Sequence, residues 1–274
     1  MLKRRFLPAG LLLAIFLVCA PPLQAKTLKV IAGTSLIEDI VYDLSGGQAE
    51  VVTIIKGSSC PGHETVKTTD FVFAAKADII LVHSFQQKMP WLADMLKAVK
   101  NGNQRLVILE PKGSWLIPEA QKNAVLDIAK ALSRVFPEDT GAIDARARKR
   151  LAQVDAISGE IRDKLAPVKG KTVAVANMQA EFAAWAGLEV LRSYGRGEDM
   201  STKEFVRLID ELRGKSLAGV IDNYQSGSDA GLPLAMELKV PHVVLSNFPG
   251  SSDNAHDYFS LLRHNAAQLL KLGK

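Results

Sequence analysis

PEDTGAIDARARKRLAQVDAISGEIRDKLA, residues 137–166, decides how this chain is organised. Ile143, Ala147, Leu151, Val154, Ile157, Ile161 and Leu165 recur at steps of three and four, which places them in one apolar stripe on an α-helix. Arg146, Arg148, Lys149, Asp155, Arg162 and Asp163 fall on its other faces. At the α-helical rise such a helix spans roughly 43 Å, long enough to cross two domains. Pro167 ends it, because proline has no N–H and disfavours helix in the residue before it. Just upstream, 118–136 is a second helical stretch with Pro118 in its first turn, where the missing N–H costs nothing.

On both sides of these helices the pattern alternates. Upstream, 28–32 (LKVIA), 50–55 (EVVTII), 78–82 (DIILV) and 105–109 (RLVIL) are strand-like. Between them 35–44, 67–77 and 90–99 carry helical spacing, and Gly46-Gly47 stops the first of these. Downstream, strands at 172–176 (TVAVA), 189–191, 218–221 (AGVI) and 242–245 (HVVL) alternate with helices at 179–186, 202–212, 230–238 and 255–272. Strand–helix alternation predicts an α/β fold with parallel sheets. The expected architecture is two lobes, 26–115 and 170–274, each a parallel sheet flanked by helices. They are joined through 116–169 by a long rigid connecting helix. Ligands of open α/β sheets bind outside the carboxyl ends of the strands, so the cleft between the lobes is the expected site.

The first 25 residues, MLKRRFLPAGLLLAIFLVCAPPLQA, form an export signal. Lys3-Arg4-Arg5 precede an uncharged apolar run from Phe6 to Ala20, and Pro21-Pro22 break it before Ala25. A membrane span needs ~20 apolar residues, so this run reads as a signal and the mature chain as not membrane-spanning. Lipoprotein processing at Cys19 is the alternative, and the bulky Val18 fits it poorly. The expected location is the periplasm. The whole chain has 274 residues and a net charge of +5, with 47% hydrophobic and 23% charged residues and a mean hydropathy of +0.08. This is globular composition. Setting aside Lys3, Arg4 and Arg5 lowers the net charge to +2, which gives no reason to expect a nucleic-acid partner.

Cleavage after Ala25 leaves one cysteine, Cys60, in the loop Gly57-Ser58-Ser59-Cys60-Pro61-Gly62-His63-Glu64. The loop follows a strand, where a ligand would sit. Thiolate and imidazole are ligands for zinc and for cuprous copper, so Cys60 and His63 are candidate donors. The alternative is a buried thiol beside a surface histidine. His83 closes the strand DIILV and so points near the cleft mouth; the favoured reading is a histidine hydrogen-bonded to a loop carbonyl. In the second lobe Met178 follows TVAVA and offers a soft thioether, or packs. Asp222 follows AGVI, where a carboxylate balances a metal's charge or caps the next helix. His242, His256 and His264 read as structural or solvated. There is no G-x-S-x-G, P-loop or H-E-x-x-H, and a Cys60–His63 dyad lacks an orienting group, so the chain is not read as an enzyme.

With its export signal, paired lobes, long connecting helix and a histidine after the second strand, the chain resembles the metal-specific solute-binding proteins of ABC importers. The resemblance covers essentially the whole mature chain. It carries His63, in Pro61-Gly62-His63 with Thr69-Asp70 downstream, over as a metal ligand. The family's second histidine precedes a Trp-Leu pair, and here Gly113 stands before Trp115-Leu116. The third and fourth ligand positions fall near Asn177-Met178 and Ser246-Asn247. The resemblance therefore implies a divergent subgroup that binds a transition-metal ion as cargo, and the candidate sulfur and nitrogen donors favour zinc, with copper as the rival. Cys60, His63, Met178 and Asp222 are the expected metal ligands, an ABC permease is the expected partner, and the chain is read as a monomer. A same-fold protein for a small non-metal solute is the second reading, and a thiol enzyme the third.

Overall fold

A computed structural model describes residues 27–62, 66–99 and 105–273. The export signal therefore lies outside the described residues. In the first lobe β1 (Lys29–Thr34), β2 (Glu50–Ile55), β3 (Ile79–His83) and β4 (Leu106–Leu109) form a parallel sheet in the order β2-β1-β3-β4. In the second, β5 (Thr172–Ala176), β6 (Glu189–Tyr194), β7 (Gly219–Asn223) and β8 (His242–Leu245) repeat it as β6-β5-β7-β8. The central strands are covered on both faces, which is why they read as continuous apolar runs instead of alternating ones. In each sheet the winding reverses between the two central strands, so a crevice opens at their carboxyl ends. The first lobe is flanked by α1 (Ser35–Ser45), α2 (Thr68–Ala74) and α3 (Pro90–Ala98). The second is flanked by α6 (Ala180–Trp185), α7 (Thr202–Leu212), α8 (Leu232–Leu238) and α9 (Tyr258–Leu269). Between them run α4 (Pro118–Val135) and α5 (Thr140–Lys164). No described helix is long and apolar enough to cross a membrane.

The 25 residues of α5 span about 37 Å. It is shorter than the expected 137–166, because Pro137–Asp139 and Ala166–Val168 each tighten into a 3-10 turn. Its stripe is buried at Ile143, Ala147, Val154, Ile157 and Ile161, with Leu151 half-buried. The helix also buries Arg150, which is 1% exposed. Its Nη2 donates to Asp39 Oδ2 on α1 at 2.5 Å, and its Nη1 to the Asp43 carboxylate. Burial works against this charge, but the two carboxylates outweigh it and hold the guanidinium above its usual range. Gln121 of α4 extends the network: with its amide turned to satisfy both neighbours, its oxygen accepts from Arg150 Nη2 (3.1 Å) and its nitrogen donates to the Trp115 carbonyl (3.2 Å). From α9, Tyr258 N–H donates to Asp39 Oδ2 (3.3 Å) and its hydroxyl to the Leu116 carbonyl (3.1 Å). One apolar core continues from the first lobe through α4 and α5 into the second. A smaller one lies between the outer face of the second sheet and α7 and α8, with Tyr194, Leu212, Val220 and Leu234 in it.

The lobes also touch directly. Ser35 Oγ donates to the Pro249 carbonyl and Gln225 Nε2 to the Gly57 carbonyl, each at 2.7 Å. At Gly57 a Cβ would lie 2.1 Å from the Pro249 carbonyl oxygen and 2.3 Å from the Gly250 carbonyl carbon. Only glycine lets the two backbones meet there. Other boundaries also differ from expectation. β6 extends to Tyr194 because Arg192 and Ser193 sit on an exposed edge strand, where polar residues are tolerated. The last helix begins at Tyr258 because the Asp257 carboxylate caps it, accepting from Ser260 N–H at 2.6 Å.

Replacing Arg150 with Met should strand two carboxylates at the helix junction and cost about 3–5 kcal/mol, read as a fall in the urea midpoint. Gly57→Ala should wedge the lobes apart for roughly 1–3 kcal/mol and expose the 57–62 loop to limited proteolysis. An unchanged midpoint and digestion pattern would show that the contact between lobes is looser than described.

Candidate metal centre

A cavity of about 560 Å³ opens between the lobes at the carboxyl ends of both sheets. A larger depression, about 1110 Å³, lies on the flank among α1, β2 and α5. Its lining mixes Asp43, Asp70 and Asp257 with Lys56, Arg146 and Lys149, and it contains none of the candidate donors. The interlobe cavity is the one lined by the candidate donors Cys60 and Met178.

The first-lobe wall is built where β1 and β3 end side by side. Thr34 Oγ1 and His83 Nε2 are 2.7 Å apart, so the partner of His83 is a hydroxyl and not the loop carbonyl considered from sequence. His83 N–H donates to Gln86 Oε1 and Gln86 Nε2 to the Gly33 carbonyl, both at 2.9 Å. A Cβ on Gly33 would lie 2.1 Å from Gln86 Oε1, so glycine there makes room for the plug. Gln86 thus fills the crevice of the first sheet. The His83 ring lies against Phe85 (centroids 5.2 Å apart) and Trp115 (4.0 Å). Burial lowers its pKa from 6.5 to about 3, and the imidazole is neutral. Cys60 is a free, half-buried thiol on the cavity lining. Beside it Arg196 reaches over from the second lobe: a Cβ at Gly62 would lie 3.1 Å from Arg196 Nη1 and 3.9 Å from Cys60 Sγ. Arg196 is itself paired with Glu198 (3.0 Å) and Asp199 (3.1 Å). His63 falls outside the described residues.

The second-lobe wall is made of amides. Gln179 is buried under the turn after β5, and its Nε2 donates to Asn223 Oδ1 and Asn247 Oδ1, both at 2.9 Å. Asn223 Nδ2 donates to Ser226 Oγ (2.6 Å), and Asn247 N–H to Gln225 Oε1 (3.0 Å). Met178 lines the cavity with 57% of its surface exposed. So does Glu181, one helical turn after Asn177, whose Oε2 accepts from Ser114 N–H across the cleft at 2.5 Å. Gly113 has φ +85, and a Cβ there would lie 3.1 Å from that same oxygen. Where the resemblance puts a histidine, the backbone is left-handed and the space beside it holds a carboxylate from the other lobe. Sequence reasoning missed Glu181; the four-residue step from Asn177 is the only signal it left.

Asp222 does not line the cleft. It is fully buried within the second lobe, where its oxygens accept from Tyr194 Oη (2.8 Å) and from Gly231 N–H (2.8 and 3.0 Å). His242 Nε2 is 2.7 Å from Oδ2. Burial first, and the Asp222 charge second, raise the Tyr194 pKa and keep its hydroxyl a donor. Of the four expected ligands, Cys60 and Met178 therefore line the cavity, while Asp222 is saturated elsewhere. Among the described residues no three His, Cys, Asp or Glu side chains converge as a metal site requires.

The profile of the family described as ZnuA, zinc-uptake complex component A periplasmic, matches residues 30–272. Among solved structures the chain is similar to ZnuA, with a TM-score of 0.75 and 17% identity over 91% of this chain and 100% of that one. A zinc-bound deletion mutant of ZnuA gives 0.75 and 18%, over 91% and 99%. The Mn-bound periplasmic metal binding protein from Candidatus Liberibacter asiaticus gives 0.74 and 17%, over 90% and 100%. At such identities the likeness is one of fold.

The neutral His83 ties stability to pH. Its folded pKa lies below its unfolded one, so its contribution is complete above pH 6.5 and is lost as pH falls toward 3. Between pH 7 and pH 5 this group should cost the fold about 2 kcal/mol. Urea unfolding at both pH values should show a smaller loss in His83→Gln, which cannot take up the proton. An equal loss in both proteins would assign the effect to other groups.

Proposed function

The chain belongs to the family of periplasmic zinc-uptake component A proteins, and on that premise we propose that it captures a transition-metal ion between its lobes and presents it to the permease of an ABC importer. Export by a signal peptide at 1–25 puts it in the periplasm, with lobes 26–115 and 170–274 held by the helices of 116–169. The observation that carries this reading is that Cys60 from one lobe and Met178 and Glu181 from the other line a single cavity at the carboxyl ends of both sheets. His63, three residues beyond Cys60, supplies the imidazole.

Zinc is the proposed cargo. Sulfur and nitrogen donors disfavour manganese, which prefers oxygen, and zinc accepts a mixed set of S, N and O ligands. Glu181 takes the part of oxygen donor first expected of Asp222, whose role becomes the anchoring of β7 to Tyr194, Gly231 and His242. A second reading, cuprous copper, is favoured by the exposed Met178 thioether on the same lining as Cys60.

Cys60→Ala and His63→Ala should each weaken zinc binding by roughly tenfold or more, measured by competition against a chromophoric indicator. Met178→Ala should weaken cuprous copper far more than zinc. Asp222→Ala should lower the unfolding midpoint while sparing metal affinity. Full affinity in Cys60→Ala would remove the thiol from the site.

A further inference from the structure

Resting on the reading of Glu181 as the oxygen donor of the cleft, we propose that the Gly113-Ser114 backbone of the first lobe is its positioning element. The Ser114 N–H holds Oε2, and Oε1 is left for the metal. The segment where the resemblance puts a ligand thus acts through a ligand of the other lobe.

The first ground is a division of labour within one carboxylate. Oε2 accepts from Ser114 N–H at 2.5 Å, while Oε1 has no hydrogen-bond or ion-pair partner among the described residues. Glu181 is exposed and lines the interlobe cavity. An ionised carboxylate accepts at both oxygens, so one can be fixed by an N–H while the other coordinates. A hydrogen bond of this kind sets the orientation of a ligating carboxylate, and losing it costs about tenfold to a hundredfold in metal affinity.

The second ground is the rigidity of the donor. Ser114 lies in the loop between β4 and α4. Its carbonyl accepts from Ile117 N–H at 2.9 Å. The next carbonyl, of Trp115, is held by Gln121 of α4, and that of Leu116 by the Tyr258 hydroxyl of α9. Three successive peptide groups are therefore anchored on the frame, and the Trp115 and Leu116 side chains are buried. A group fixed in advance has no freedom to lose when the metal binds.

The third ground is the glycine. Gly113 is exposed, and its φ of +85 suits glycine. A Cβ there would lie 3.1 Å from Glu181 Oε2, and apart from chain neighbours no other atom of the described residues lies within 4 Å of that position. What a side chain at 113 would disturb is this carboxylate. Because the N–H belongs to one lobe and the carboxylate to the other, parting the lobes releases Glu181 from its fixed orientation.

The test measures two quantities in the mature chain: hydrogen exchange at the Ser114 amide by NMR, with and without zinc, and zinc affinity by competition. Cobalt(II) in place of zinc reads the coordination geometry through its visible spectrum. The Ser114 amide should exchange slowly in both states, since Oε2 stays on it while Oε1 binds. Glu181→Ala should speed that exchange and weaken zinc roughly tenfold or more. Gly113→Ala should weaken zinc about tenfold and change the cobalt spectrum, with the carboxylate present but displaced. Gly113 is exposed and outside every strand and helix, so the fold survives this change. Faster Ser114 exchange on zinc loading overturns the positioning role and leaves Glu181 a ligand, as does an unchanged affinity and spectrum in Gly113→Ala while Glu181→Ala loses affinity. Full zinc affinity in Glu181→Ala, or no zinc binding by the unmutated chain, overturns both the proposal and the reading it rests on.

Discussion

A single buried guanidinium ties the parts of this protein together. Arg150 sits midway along the connecting helix and binds two carboxylates of α1. Through Asp39 it is coupled to the start of α9, and through Gln121 to the Trp115 carbonyl at the cleft. First lobe, second lobe, both connecting helices and one wall of the cleft therefore meet within a few bonds. Burying such a charge is costly, and an apolar replacement of the whole group can be as stable. What an apolar replacement would lack is direction. Fixed hydrogen-bond geometry sets the rotation of α5 against α1, and with it the relative position of the two sheets.

That rigidity defines the site. The cleft is closed on one side by backbone contact at Gly57 and bridged on another by Glu181 and Ser114. Within the first sheet the crevice is filled by Gln86, and in the second Gln179 lies under the asparagines. The space left for a ligand is thus the gap between lobes, and its size is set by the frame and not by the ligand. Large hinge closure would have to break the Arg150 network and the continuous core together.

The fold was legible because its determinants are local or periodic. The stripe of α5 and the β-branched runs of the central strands state their own structure. The departures have physical causes. Arg150 left no signal in the sequence, because periodicity carries no information about a partner 111 residues away. Asp222 read as a ligand because its place at a strand's carboxyl end suits one. The direction of its side chain depends on Tyr194, His242 and the Gly231 turn, three separate segments. Glu181 was invisible for the opposite reason: its role comes from a glycine in the other lobe that makes room for it.

Gly113 and Glu181 also show how one frame changes its chemistry. At Gly113 the left-handed backbone carries no side chain where the resemblance expects a histidine. The space beside Gly113 holds a carboxylate from across the cleft, which joins the lobes through the Ser114 backbone. The interlobe link at this point is a backbone-to-carboxylate hydrogen bond. Contact between the lobes at the cleft is thus made by the protein's own groups, Glu181 with the Ser114 backbone and Gln225 with the Gly57 carbonyl.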